Sequence, residues 1–258
     1  MAKFFILTDL EGVVGVDSFT QTRTSDGYPE RIDKARKRLA AEVNACVEGI
    51  RQAIPDAQID VWDGHGPGGL YKEDLVGANY LREGQPYKEL QGYDALLFVG
   101  QHAMAGTIHA PLNHTYSSLS VDYYKLNGVF IGEFGARALI AGRQGVPTIF
   151  LSGDDKAALE ARMFVPNIET VIVKRGTGIE SAVHLDGEEA LSLIRQGAAR
   201  ALERMKDIPP FTGIASPYVL EMCFRQPLNT DRFNDFQKEL LNDRTIRLYA
   251  VDLSSFPL

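Results

Sequence analysis

The chain has 258 residues, 45% of them hydrophobic and 24% charged, with 27 Lys and Arg against 34 Asp and Glu and a formal net charge of −7. So apolar and weakly charged a chain is not disordered, and its length suits one large domain or two modest ones. The acidic excess and the pI near 5.3 argue against a nucleic-acid backbone or an anionic membrane as partner, since either is met by clustered Lys and Arg.

From Met1 the chain is apolar only briefly before Thr8 and Asp9, too short for a secretory core. No apolar run of about 18 residues follows, so a cytoplasmic protein is expected. Five short β-branched or aromatic runs predict strands: Phe4–Thr8, Gln58–Trp62, Ala95–Gly100, Pro147–Leu151 and Thr170–Lys174. The spacing predicts the longest helix over Glu30–Ile54, where Ile32, Ala35, Leu39, Val43, Val47, Ile50 and Ile54 recur at steps of three and four until Pro55 stops it. Asn127-Gly128, flanked by apolar stretches, predicts a β-hairpin, and Phe134–Gln144 reads as a helix. Asp186 opens another, with Glu189 as its reciprocal capping partner and Leu191, Ile194, Ala198, Ala201 and Met205 as its apolar stripe. Beyond Pro209-Pro210 the strand-like runs Tyr218–Phe224 and Thr245–Leu253 flank a predicted helix over Phe233–Leu241. The pattern is a mostly parallel α/β sheet with helices on its faces, an inserted hairpin and a small C-terminal α+β segment. Residues 1–208 form the main domain, and residues 209–258 form the tail, separate or continuous with it. Cys46 and Cys223 stand in no ligand spacing and read as small buried hydrophobes.

In open α/β sheets ligands bind beyond the carboxyl ends of the strands. Four predicted strands end in polar residues: Thr8-Asp9-Leu10-Glu11-Gly12, Trp62-Asp63-Gly64-His65-Gly66, Gly100-Gln101-His102 and Ser152-Gly153-Asp154-Asp155. Asp9 and Glu11, two residues apart in extended chain, can present both carboxylates to one point, where they repel unless a cation intervenes. Taken alone, the pair reads as turn or cap residues. His65 and His102 at two other strand ends favour a shared metal site, and mixed oxygen and imidazole donors suit zinc, manganese or iron. Glu133 has a competing role as a helix-dipole carboxylate, and His114 as a solvated loop residue. His109 and His184 have no supporting context.

Gly64–Gly69 matches G-x-G-x-x-G, but Pro67 sits in the turn, no clear helix follows and no ribose-binding acid appears downstream, so dinucleotide binding is set aside. No GxSxG elbow, P-loop, HExxH helix or kinase signature is present.

Assembled, these segments resemble the zinc D-aminopeptidase family encoded with bacterial dipeptide transporters, a group of self-compartmentalising metallopeptidases. The resemblance is carried by Asp9-Leu10-Glu11-Gly12, Asp63-x-His65, Gly100-x-His102-Ala103, Asn113-His114-Thr115-Tyr116-Ser117, Gly132-Glu133-x-Gly135 through Ala141-Gly142, and Gly153-Asp154-Asp155. These extend in order from residue 3 to about residue 205, and the tail matches only in general character. The resemblance implies a three-layer αβα fold and a centre of two divalent metal ions, zinc first with manganese or cobalt as alternatives. It assigns Asp9, Glu11, His65, His102 and Glu133 as metal ligands and His114 as the catalytic histidine. It further implies amide hydrolysis as an aminopeptidase on short peptides, including those with D-residues, in a ring-shaped homo-oligomer. The glycines at 64 and 66 depart from the small hydroxyl residues of the family pattern, which bears on pocket shape more than on metal ligation. A dinuclear-metal phosphoesterase and a non-catalytic metal-binding scaffold are the alternatives; few basic residues near the motifs count against the first, and the intact His114 against the second.

Overall fold

The computed structural model describes every residue from Met1 to Leu258. Its first half alternates strands with a single long helix: β1 (Lys3–Thr8), α1 (Pro29–Ala53), β2 (Gln58–Asp63), β3 (Asn79–Leu81) and β4 (Ala95–Gln101). There follow β5 (Val121–Leu126), β6 (Val129–Phe130), α2 (Glu133–Arg143), β7 (Thr148–Asp154), α3 (Asp155–Phe164), β8 (Glu169–Gly178), β9 (Ser181–His184) and α4 (Gly187–Glu203). The tail adds β10 (Tyr218–Phe224), β11 (Gln237–Asn242) and β12 (Thr245–Ala250).

The main sheet has the order β3-β2-β1-β4-β7-β8-β9, parallel except for the antiparallel edge pair β8 and β9. Its central strands are apolar and buried end to end, as a sheet covered on both faces requires. Helices α1 and α4 pack together on one face, and α2 and α3 cover the other, which gives three layers. From β1 the chain builds outward through β2 and β3, then returns to lay β4 on the opposite side of β1. The reversal between β1 and β4 opens a crevice above their carboxyl ends.

Local chemistry accounts for the boundaries. Pro29 sits at the first turn of α1, where its missing N–H costs nothing. Asp154 caps α3 through the backbone N–H groups of Lys156 and Ala157, and Asp186 caps α4 through those of Glu188 and Glu189. At the hairpin, Asn127 (φ +50°) and Gly128 (φ +84°) both take the left-handed conformation that a two-residue turn between twisted strands demands.

The hairpin is joined to the tail. β5 pairs antiparallel with β10, and a second sheet runs in the order β11-β12-β10-β5-β6. The Asn127 side chain fastens the junction, donating to the Ala215 and Pro217 carbonyls and accepting the Val219 N–H. The helix predicted over Phe233–Leu241 is not formed. A short 3-10 turn at Asp231–Phe233 leads instead into β11, which pairs with β12. Phe233 and Phe236 keep their apolar contacts with the core, so burial that looks helical in spacing is satisfied by a turn and a strand.

Candidate metal centre

Loop geometry past the strand ends brings the acidic residues together. Beyond β1 the chain stays beside β4: Asp9 N–H donates to the Val99 carbonyl at 3.0 Å and Gly12 N–H to the Gly100 carbonyl at 2.7 Å. A Cβ on Gly12 would lie 2.2 Å from the Gln101 carbonyl oxygen, so glycine is required for this close approach. The buried Lys174 of β8 clamps the same loop by donating to the carbonyls of Glu11, Val13 and Val16. After β2, Asp63 accepts the backbone N–H groups of Gly69 and Leu70, folding the glycine-rich loop so that His65 faces Glu11. That loop leads into no α-helix, in keeping with the rejection of a dinucleotide motif. His102 follows β4, His114 lies in the loop before β5, and Glu133 opens α2.

All six predicted residues meet in one place, and all are buried. His65 Nε2 is 3.3 Å from Glu11 Oε1, His102 Nε2 is 3.2 Å from Asp9 Oδ2 and 3.6 Å from Glu133 Oε1, and His114 Nε2 is 3.8 Å from Glu133 Oε1. The rings of His102 and His114 stack at 4.0 Å. Asp9, Glu11 and His102 form one group of potential metal donors and His102, His114 and Glu133 another. His109 and His184 lie elsewhere, with His109 Nδ1 donating to the Thr177 carbonyl and His184 Nδ1 accepting the Gly15 N–H.

Hydrogen bonding fixes which nitrogens face the centre. His102 Nδ1 donates to the Ala103 carbonyl at 2.8 Å and His114 Nδ1 to the Leu112 carbonyl at 2.9 Å. A carbonyl only accepts, so each Nδ1 carries the hydrogen and each Nε2 of a neutral ring presents its lone pair to the carboxylates. Lone pair against carboxylate is repulsive unless a cation or a proton on the imidazole lies between them.

The titration of the group expresses the same deficit of positive charge. Burial and the neighbouring Glu11 push Asp9 up to about 6. Burial disfavours charge on His65 and His102, but Glu11 overrides it at His65, raised to about 9, and Asp9 with Glu133 at His102, raised well above the usual range. Burial and His102 push His114 down to about 4, which leaves it neutral. Burial opposes ionisation of Glu133, yet Arg137 and His102 hold its carboxyl low.

Metal ions fit this donor set. Glu11 Oε2 and His102 Nε2 are buried without a hydrogen-bond partner, and three carboxylates with imidazole nitrogens match the donors of zinc and related cations. Asp9, Glu11, His65, His114 and Glu133 line a cleft of about 410 Å3, whereas His102 lies behind it.

Sequence reasoning missed several residues of the site. Arg137, one turn after Glu133 on α2, pairs with it at 2.9 Å, and the spacing of four was the available signal. The Tyr116 backbone N–H donates to the other Glu133 oxygen. Arg23 and Arg82 join Arg137 in lining the cleft, so the expected scarcity of basic residues near the motifs does not hold, and Arg137 lies within the Gly132–Gly142 motif itself.

Residues 2–256 match the model of the Peptidase M55 family, described as D-aminopeptidase. The chain belongs to this family. A D-aminopeptidase from Bacillus subtilis (strain 168) is 28% identical over 218 residues, 81% of this chain and 77% of the relative. The solved structure of the Zn-dependent D-aminopeptidase DppA from Bacillus subtilis, described as a self-compartmentalizing protease, matches with a TM-score of 0.86 at 25% identity, covering 97% of this chain and 92% of that one. The D-aminopeptidase likeness therefore extends through the tail, beyond the residue-205 limit that the sequence motifs reached.

Proposed function

We propose that this protein is a zinc-dependent D-aminopeptidase that releases N-terminal residues from short peptides. The observation that carries the reading is the buried convergence of Asp9, Glu11 and Glu133 on the lone-pair face of His102, in a chain of the D-aminopeptidase family. Asp9, Glu11, His65, His102 and Glu133 would hold two zinc ions, with manganese or cobalt as substitutes. Bound there, the metals supply Lewis-acid polarisation of the scissile carbonyl and a water of lowered pKa. Surplus carboxylate oxygens also suit the α-ammonium of a peptide. His114 is anchored through Nδ1, which donates to the Leu112 carbonyl, and it lines the cleft, a placement that suits a general base or nucleophile acting through Nε2.

No helix is long and apolar enough to cross a membrane. Buried, unpaired Cys46 and Cys223 suit a reducing compartment, the cytoplasm. A relative described as self-compartmentalizing supports a ring-shaped homo-oligomer.

Metal analysis and hydrolysis of paired D- and L-aminoacyl dipeptides form the test. Stoichiometric zinc, D-selective cleavage and loss of turnover with EDTA are expected. Metal-free protein with EDTA-insensitive cleavage overturns the reading, as does turnover of an aryl phosphate but no peptide.

A further inference from the structure

Three arginines line the cleft, and two are committed to the protein. Arg137 is buried against Glu133. Arg82 donates to the backbone carbonyls of Asp63 and Gly66, bracing the loop that carries His65. Arg23 differs. Its Nε donates to Ser118 Oγ at 3.0 Å and its guanidinium lies 3.5 Å over the Phe19 ring, but its two terminal nitrogens have no protein acceptor. The ion pairs of the molecule, counted to 4.0 Å, leave it out. Partial burial lowers its pKa from the ordinary guanidinium range without removing its charge, and the acids that oppose the shift, Asp26, Glu11 and Glu180, form no ion pair with it.

The position is pre-organised. Arg23 sits between two 3-10 turns, Phe19–Gln21 and Thr24–Asp26, the first closed by a reciprocal capping box between Ser18 and Gln21. Held on one edge by Ser118 and on one face by Phe19, the planar fork loses little freedom when an anion arrives. A guanidinium edge of this kind matches a carboxylate with two parallel N–H···O bonds. The cleft thus has opposite chemistry at two places, an acidic metal-binding floor and an unpaired guanidinium.

We propose that Arg23 binds the C-terminal carboxylate of the peptide substrate and makes the enzyme selective for short peptides with a free C-terminus. The inference rests on the D-aminopeptidase reading and specifies its substrate class. The peptide's ammonium end lies at the metal-binding carboxylates and its carboxylate end at Arg23, so a chain too long to bring both ends into a cleft of about 410 Å3 forfeits the second contact.

The test compares D-alanylglycine with D-alanylglycinamide on zinc-loaded wild type, Arg23→Gln and Arg23→Lys, with zinc content and melting temperature measured for each. Wild type is expected to favour the free acid. Arg23→Gln should raise KM for the acid by about 10- to 100-fold, the loss expected for a charge-assisted hydrogen-bonded pair, while kinetics on the amide stay unchanged. Arg23→Lys should recover part of the preference, and it reads the same ratio if Arg23→Gln fails to fold. Equal effects on acid and amide, or no effect on either, overturn the carboxylate assignment and leave the aminopeptidase reading standing. Hydrolysis of neither compound by wild type overturns both.

Discussion

His102 and His114 stack on one another at 4.0 Å and anchor their Nδ1 atoms in the same way, yet only His114 reaches the cleft. The two proposed roles, His102 as a metal ligand and His114 as the catalytic histidine, make different predictions. His114→Ala is expected to retain zinc and lose about a hundredfold or more in kcat, the scale of a lost general acid or base. His65→Ala should lose metal as well, and with it the stability that binding confers on the folded state, so its melting temperature should fall further. Zinc content, kcat and thermal melts of both variants decide this: zinc loss in His114→Ala makes it a ligand, and full activity makes it a bystander. Asp9, Glu11, His65 and His102 could be read from the sequence because each lies just past a strand end, whereas Glu133 at a helix start and His114 in a loop are assigned only through the family resemblance. Lys174 could be read by neither route. Its importance comes from three carbonyls some 160 residues earlier in the chain, a relation that no local pattern encodes.

Glu42 shows the same limit one level up, where elements meet. It is a buried carboxyl in the apolar run of α1 that accepts the Val14 N–H at 2.8 Å, tying the helix to the loop beyond β1. Burial pushes it up from an ordinary 4.5 to about 7, with the Val14 bond opposing the shift. Because the folded value is the higher one, folding favours the protonated acid. The cost of ionising it is absent below about pH 4.5, grows between pH 4.5 and 7, and is complete above, on the order of 3 kcal/mol. Glu42→Gln keeps an acceptor for Val14 and removes that cost. It should raise the melting temperature at pH 8 and leave it nearly unchanged at pH 4.5, and an equal change at both pH values would show that Glu42 does not titrate in this range. At this scale five of the parallel strands were legible as short β-branched or aromatic runs and α1 by its long apolar periodicity, whereas the short parallel strand β3 gave no such run. The stretch Phe233–Leu241 misled because Phe233, Phe236, Leu240 and Leu241 fall at helical steps, whereas β11 is fixed by pairing with β12, a partner across a turn. The role of the hairpin in carrying the tail was equally hidden, since β5 and β10 lie about a hundred residues apart.

Across the whole molecule, the family match extends over residues 2–256 and the structural match over 97% of the chain, so the likeness to the D-aminopeptidases takes in both the main sheet and the tail. One monomer already holds all six predicted site residues, so assembly is not needed to complete the candidate centre. What assembly adds is restricted access. If subunits close into a ring with the clefts facing inward, as proposed by likeness to a self-compartmentalizing relative, substrate must pass an opening before it reaches zinc. Two outcomes should then appear together. Light scattering coupled to size exclusion should give a mass that is a fixed multiple of 28.5 kDa, unchanged between low and physiological salt if the subunit contacts are mainly apolar, because screening weakens exposed charge pairs and not burial. Peptides should be cleaved and an unfolded protein bearing the same N-terminal residue spared. Arg23→Gln, which removes the contact with the substrate carboxylate, should reduce the preference for free over C-terminally blocked short peptides without admitting the protein. A stable monomer across micromolar concentrations refutes the ring, and rapid trimming of the unfolded protein by an intact oligomer refutes the enclosed chamber.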